Sequence, residues 1–81
     1  MEEFIGTIVR NLVDKPDEVD VKVVESDDTI LYELRVGDGD FGKVIGKRGR
    51  NISAIRTILF AINAKEGGKR AMLEIIDQNE Q

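Results

Sequence analysis

Residues 37–52 read GDGDFGKVIGKRGRNI and hold five glycines. Three phosphate-binding templates can be laid over this segment. Residues 37–42 match the dinucleotide fingerprint G-x-G-x-x-G, residues 42–47 come close to the nucleoside-triphosphate loop, and residues 46–49 form a short G-x-x-G loop. At most one of the three can describe what the segment does, and the surrounding sequence decides which.

Two of the templates fail on their context. The dinucleotide fingerprint needs a βαβ unit and an acidic residue about 20 positions further on, but residues 60–65 hold none. Asp38 and Asp40 would also face the pyrophosphate with like charge, so the first glycines are better interpreted as turn residues. The triphosphate loop needs four residues between its glycines and a Ser or Thr after its lysine. Here the glycines enclose three residues and an arginine follows the lysine.

Hydrophobic periodicity predicts the elements around the segment. Helical spacing from Phe4 to Val13 predicts an amphipathic helix over residues 2–14, which Pro16 stops. Asp40 is expected to cap a short helix that Gly46 ends. The predicted elements are a helix at 2–14, strands at 19–25 and 30–36, helices at 41–45 and 50–65, and a strand at 70–76.

This order of elements predicts the fold class. The two early strands are close enough to form an antiparallel hairpin. Ile52, Ile55, Leu59 and Ile62 give the long helix one core-facing stripe. These elements can bury their apolar faces against one another as a three-stranded sheet, antiparallel or mixed, with helices packed on one face. The sequence therefore predicts one α+β domain over residues 1–77, with a polar tail at 78–81.

The charge distribution favours a polyanionic partner. The net charge is −4, yet residues 41–65 contain no acidic side chain. The basic residues of this window are Lys43, Lys47, Arg48, Arg50, Arg56 and Lys65. A local basic patch on an acidic body is the electrostatic footprint expected for binding a polyanion.

Composition excludes several other classes of protein. The chain has no cysteine and no histidine, which removes disulfides, thiolate zinc ligands and the commonest general base. The acidic start and the absence of a long apolar run indicate a soluble, cytoplasmic protein without a membrane segment. The aspartate pairs at 27–28 and 38/40 lie in predicted turns. We therefore expect no enzyme, metal site, cofactor or small-molecule substrate.

Residues 44–52, VIGKRGRNI, resemble the I-G-x-x-G-x-x-I signature of KH domains. The order of elements is similar to the prokaryotic, type II arrangement α-β-β-α-α-β. A chain that is one KH domain and little else resembles the small bacterial single-KH RNA-binding proteins, and the resemblance covers residues 1–77. It implies a narrow groove that takes about four unpaired nucleotides while the loop clamps their backbone.

The resemblance implies specific RNA-binding positions. Gly46 and Gly49 would allow close approach of the RNA backbone, and Lys47 and Arg48 would meet phosphates. The apolar positions, either groove wall or core beneath it, are Val44, Ile45 and Ile52. The positions that either extend the positive field or are solvated helix residues are Lys43, Arg50 and Arg56.

Aromatic stacking is expected to contribute little, because most of the four aromatic residues occupy predicted core positions. These residues are Phe4, Tyr32, Phe41 and Phe60.

A single short RNA-binding site binds weakly, and pairing two such sites raises the avidity. We therefore expect a protein partner in addition to RNA. The resemblance implies a homodimer, or pairing with a larger KH-containing protein, in a post-transcriptional regulator or RNA chaperone. The alternative hypothesis is a protein-interaction module in which the same fold serves dimerisation and RNA binding is secondary.

Overall fold

The central strand of a three-stranded mixed sheet leads directly into the glycine-rich segment. The structure is a computed structural model that describes residues 1–77. Its elements are α1 (Glu2–Arg10), β1 (Asp20–Glu25), β2 (Thr29–Val36), α2 (Phe41–Ile45), α3 (Arg50–Glu66) and β3 (Arg70–Asp77), with 3₁₀ turns at Pro16–Glu18 and Lys47–Gly49. The strand order is β1-β2-β3. The predicted tail at 78–81 lies outside the described residues.

Register explains which face of the sheet is buried. β1 pairs antiparallel with β2, and Val23 stands opposite Tyr32. β3 pairs parallel with β2, so Leu73 stands opposite Tyr32 on its other side. Because side chains alternate along a strand, all three residues point to the same face. A parallel pair needs a crossover connection, which α2 and α3 provide between β2 and β3.

The helices cover this one face and form the core with it, as the predicted α+β class requires. The most buried residues come from α1, β2, α2 and α3, and they include Ile5, Leu34, Val44 and Leu59. Outside the core, Val24 and Met72 lie on the opposite face of the sheet and are each more than 40% exposed. The fold prediction is therefore confirmed, and the sheet is mixed.

The first helix is shorter than the periodicity predicted. It ends at Arg10 rather than at residue 14. The main-chain N–H groups of Asp14 and Lys15 donate to the carboxylate of Asp40, at 3.2 and 2.9 Å, so they cannot continue the helical ladder. Phe4, which was expected in the core stripe, is 42% exposed.

Asp40 plays a different part from the one predicted. It occupies the N-cap position of α2, but its side chain makes no capping hydrogen bond to that helix. The carboxylate crosses to the segment after α1 instead and is 1% exposed. The other helix boundaries agree with the sequence: α2 spans Phe41–Ile45 as predicted, and Gly67, in the left-handed conformation, ends α3.

None of the helices within residues 1–77 combines the length and the apolarity that crossing a bilayer requires.

Candidate nucleic-acid interface

The Gly46–Gly49 loop is a tight turn joining α2 to α3. Gly46 has φ 76° and ψ 171°, and Gly49 has φ 73°. The main-chain N–H of Gly49 donates to the carbonyl of Gly46 at 3.0 Å and closes the turn. A Cβ at position 46 would lie 2.5 Å from Cγ of Asn51, so only glycine fits there without displacing the Asn51 side chain.

Arg48 adopts a left-handed conformation, with φ 58° and ψ 26°. It is the one non-glycine residue with positive φ within residues 1–77. Such a conformation costs a side-chain-bearing residue roughly 1–3 kcal/mol and persists where its surroundings hold it. Lys47 and Arg48 are both exposed, so the turn presents two cations to solvent.

The start of α3 adds hydrogen-bond donors to the same place. The helix is 17 residues long, and no side chain caps its N-terminus at Gly49. Its first turn contains no acidic residue and begins with the exposed Arg50. A helix start leaves main-chain N–H groups without partners inside the helix, and its dipole favours an anion. The loop and the helix start together form a site suited to phosphate.

The apolar residues that flank the loop divide between core and surface. Val44 is fully buried and Ile52 is 7% exposed, so both belong to the core beneath the loop. Ile45 is partly buried at the margin of that core. The sequence left open whether these residues line a groove or support it. The structure places Val44 and Ile52 in the supporting layer and leaves Ile45 within reach of the surface.

The three flanking cations occupy different environments. Nζ of Lys43 lies 3.2 Å from the carboxylate of Asp14 and 4.0 Å from that of Asp40, so nearby acidic groups partly compensate its charge. Arg50 begins α3 beside the loop. Arg56 lies further along α3, where its Nη2 donates to the carbonyl of Leu73 on β3 at 3.3 Å. Of these three cations, only Arg50 both lies directly beside the loop and makes no ion pair within residues 1–77.

Sequence reasoning missed the role of Asn51. Its Nδ2 donates to the carbonyl of Lys43 at 2.9 Å, which ties the last turn of α2 to the first turn of α3. The same side chain occupies the space next to Gly46. In the I-G-x-x-G-x-x-I signature, Asn51 occupies a variable position, so the motif gives it no role. An amide residue near a helix start is nevertheless a general signal for hydrogen bonding to nearby main chain.

A groove runs between α3 and β3 beyond the loop. Its volume is about 490 Å³, and its lining includes Arg56, Phe60, Asn63, Arg70 and Met72. β3 is an edge strand, and its outer side pairs with no other strand in the described part of the chain. Phe60 is 50% exposed, which corrects the expectation that the aromatic residues are mostly core.

Comparisons with known proteins agree with this architecture. The family model described as the KH domain of KhpA/KhpB matches residues 2–75. The RNA-binding protein KhpA of Chlamydia trachomatis is 51% identical over 78 residues, covering 96% of this chain and 99% of the relative. The KhpA of Borreliella burgdorferi is 51% identical, covering 93% and 90%. That of Listeria monocytogenes is 46% identical, covering 95% and 100%. The chain belongs to the KhpA/KhpB family of KH domains, a family without enzymatic activity.

Proposed function

We propose that this chain binds short single-stranded segments of RNA, about four nucleotides at a time, through the Gly46–Gly49 loop. The relatives carry the name RNA-binding protein, which supports RNA as the ligand. The absence of acidic side chains from residues 41–65 supports an anionic ligand at this place in an otherwise acidic chain.

The observation that carries the proposal is the position of two exposed cations where α3 begins. Lys47 and Arg48 project from a turn without side-chain caps, directly before the uncapped start of a 17-residue helix. In the proposed complex the two glycines let the RNA backbone approach the turn. The phosphates accept hydrogen bonds from main-chain N–H groups and from Lys47, Arg48 and Arg50. Ile45 contributes apolar contact at the margin, and Val44 and Ile52 support the turn from below.

Lys43 and Arg56 have secondary roles in this proposal. Lys43 contributes part of its charge, because Asp14 and Asp40 already contact it. Arg56 is held across the groove by the carbonyl of Leu73, so its remaining N–H groups are oriented before RNA arrives.

The biological setting is also part of the proposal. One short site gives modest affinity, and pairing two sites increases it. We expect the chain to act in the cytoplasm as a homodimer or with a larger KH-containing protein of the KhpB type, as a post-transcriptional regulator or RNA chaperone. The matching family model is described as the KH domain of KhpA/KhpB, so a partner of the KhpB type would carry a related domain.

Crosslinking in cells tests the proposal. RNA is recovered from wild type and from the Lys47→Asp/Arg48→Asp variant, and the variant should lose bound RNA while its fold and oligomeric state persist. The matched control is Lys22→Asp/Arg35→Asp, which makes the same change in net charge on the face of the sheet opposite the core. Equal RNA recovery from the wild type and both variants would reject the loop as the binding site. Survival of the cellular function without RNA binding would favour the protein-interaction alternative.

A further inference from the structure

The ion pair between Asp14 and Lys43 brings an exposed carboxylate to the basic window of residues 41–65. Nζ of Lys43 on α2 lies 3.2 Å from a carboxylate oxygen of Asp14, which belongs to the segment after α1. Lys43 stands in the last turn of α2, directly before the Gly46–Gly49 loop. None of the other cations of the window has an ion pair within residues 1–77. Lys43 is therefore the point at which the acidic part of the chain meets the candidate phosphate site.

Two aspartates face Lys43, and they differ in exposure. The carboxylate of Asp40, 4.0 Å from Nζ, belongs to a side chain that is 2% exposed, and it accepts the main-chain N–H groups of Asp14 and Lys15. Its charge is therefore part of the fold. The side chain of Asp14 is 74% exposed and that of Lys43 is 44% exposed. An ion pair between exposed groups is weak and is screened by salt, so a phosphate can replace the Asp14 carboxylate.

The main chain on both sides of the ion pair is held in place. The N–H of Asp14 donates to Asp40 at 3.2 Å, and the carbonyl of Lys43 accepts Nδ2 of Asn51 at 2.9 Å. Breaking the ion pair therefore requires rotation of two side chains and no displacement of α2 or of the loop. Carboxylate and phosphate oxygens both accept hydrogen bonds from an ammonium group, so the two anions compete for Nζ of Lys43.

We propose that Asp14 is an internal competitor for the phosphate that Lys43 binds. In the free protein its carboxylate neutralises Lys43, and in the complex an RNA phosphate takes its place. The exchange weakens the binding of any polyanion that contacts Lys43 alone, whereas RNA that also fills the Gly46–Gly49 loop offsets the lost ion pair through its other contacts. Asp14 thus restrains indiscriminate binding. This inference rests on the proposed RNA binding at the Gly46–Gly49 loop.

Removing the charge of Asp14 tests the competition. Asp14→Asn keeps the main-chain N–H that donates to Asp40, so the fold should persist. The matched control is Asp17→Asn, which makes the same change in net charge at an exposed residue of the following 3₁₀ turn. Affinities for a short, labelled single-stranded RNA of randomised sequence are measured by fluorescence anisotropy at several salt concentrations.

Asp14→Asn should bind this RNA about two- to fivefold more tightly than Asp17→Asn does at low salt. The logarithm of its association constant should also fall more steeply with the logarithm of salt concentration, by about 0.7 in slope, because Lys43 then neutralises a phosphate with its full charge. A merely structural role of Asp14 would not steepen that slope. Equal affinities and equal slopes of the two variants overturn the inference.

A double-mutant cycle assigns the effect to Lys43. In the Lys43→Gln background, Asp14→Asn should bind no more tightly than Asp17→Asn, because the group for which carboxylate and phosphate compete is absent. A gain that persists in that background overturns the inference, since Asp14 then acts only by long-range repulsion of RNA. Failure of the wild type to bind the RNA rejects the proposed function itself, and the inference with it.

Discussion

The carboxylate of Asp40 accepts a hydrogen bond from the main-chain N–H of Lys15 at 2.9 Å, although the two residues are 25 positions apart. The neighbouring N–H of Asp14 donates to the other carboxylate oxygen at 3.2 Å. These bonds fasten the segment after α1 to the residue that begins α2. Since α2 leads directly into the Gly46–Gly49 loop, Asp40 joins the two parts of the chain that determine where the loop sits.

Asp40→Ala should destabilise the fold strongly. The substitution leaves the main-chain N–H groups of Asp14 and Lys15 without their charged, buried acceptor, and hydrogen bonds to charged groups contribute about 1.5–3 kcal/mol each. We expect the free energy of unfolding to fall by roughly 2–4 kcal/mol, measured by urea denaturation. Asp40→Asn should be intermediate, because asparagine presents one acceptor oxygen and an NH2 donor where the carboxylate presents two acceptor oxygens. The control Asp27→Ala removes an exposed turn carboxylate and should change it by less than about 0.5 kcal/mol. Similar losses in both variants would contradict a special role for Asp40.

The Asp40 bonds also show what the sequence could and could not predict. Gly46 and Gly67 mark helix ends in the sequence, because the positive φ at these positions favours glycine. Both observed helix ends lie within one residue of the predicted ends. Asp40 has the local signature of a helix cap, but its partners lie 25 and 26 residues away. Periodicity over residues 2–14 carries no information about that distant acceptor, so the predicted helix was too long.

The same limit applies to the candidate site. The loop and its cations are contiguous in sequence, so the motif located them. The groove is assembled from α3 and β3, whose contact depends on the parallel pairing of β3 with β2. Phe60 therefore looks like one more apolar residue on a helix, and only the packed structure shows that it falls outside the core stripe of Ile55 and Leu59.

Salt dependence should separate charge from geometry at the loop. With roughly three phosphates neutralised, the logarithm of the RNA association constant should fall with the logarithm of salt concentration with a slope near −2. Lys47→Gln should make the slope shallower by about 0.7, because one phosphate contact is lost. Fluorescence titrations at several salt concentrations measure both slopes. A wild-type slope near zero would exclude phosphate contacts as the main source of affinity.

The left-handed conformation of Arg48 predicts an unequal response to two uncharged replacements. Arg48→Asn should leave the free energy of unfolding within about 0.5 kcal/mol, because asparagine tolerates positive φ. Arg48→Val should lower it by about 1–2 kcal/mol, because a β-branched side chain resists that conformation. Both variants lose the same charge, so weaker RNA binding by Arg48→Val measures the contribution of loop shape. Equal stability of the two variants would show that the turn relaxes without cost.

Asn51→Ala should weaken RNA binding without changing its salt dependence. The substitution removes the bond from Nδ2 to the carbonyl of Lys43, so α2 and α3 are no longer tied beside the loop. All loop charges stay in place, and the affinity should therefore fall at every salt concentration by a similar factor. The unfolding free energy should fall by about 0.5–1.5 kcal/mol. Ser53→Ala, an exposed change in the same turn of α3, is the control, and an altered salt slope in Asn51→Ala would contradict a purely positioning role.

Tyr32 should make the stability of the fold decrease at alkaline pH. Burial raises the pKa of its phenol above the usual 10.0, and nearby carboxylates raise it further, in the order Glu66, Glu2 and Glu25. The folded state thus holds the phenolic proton at pH values where the unfolded chain has released it. Stability due to this group is complete below about pH 10 and declines as pH rises from there through the folded-state pKa.

Comparison of wild type with Tyr32→Phe isolates the contribution of the phenol, because the variant lacks only the Tyr32 hydroxyl. Unfolding free energies are measured from neutral pH to above pH 10, and the wild type should lose stability relative to the variant only at the alkaline end. The chain contains one tyrosine and no tryptophan, so the ultraviolet absorbance of tyrosinate reports Tyr32 alone. Its titration in the native protein should lie above that in denaturant. Coincident titrations, or parallel stability curves for the two proteins, would contradict the burial of this phenol against the sheet.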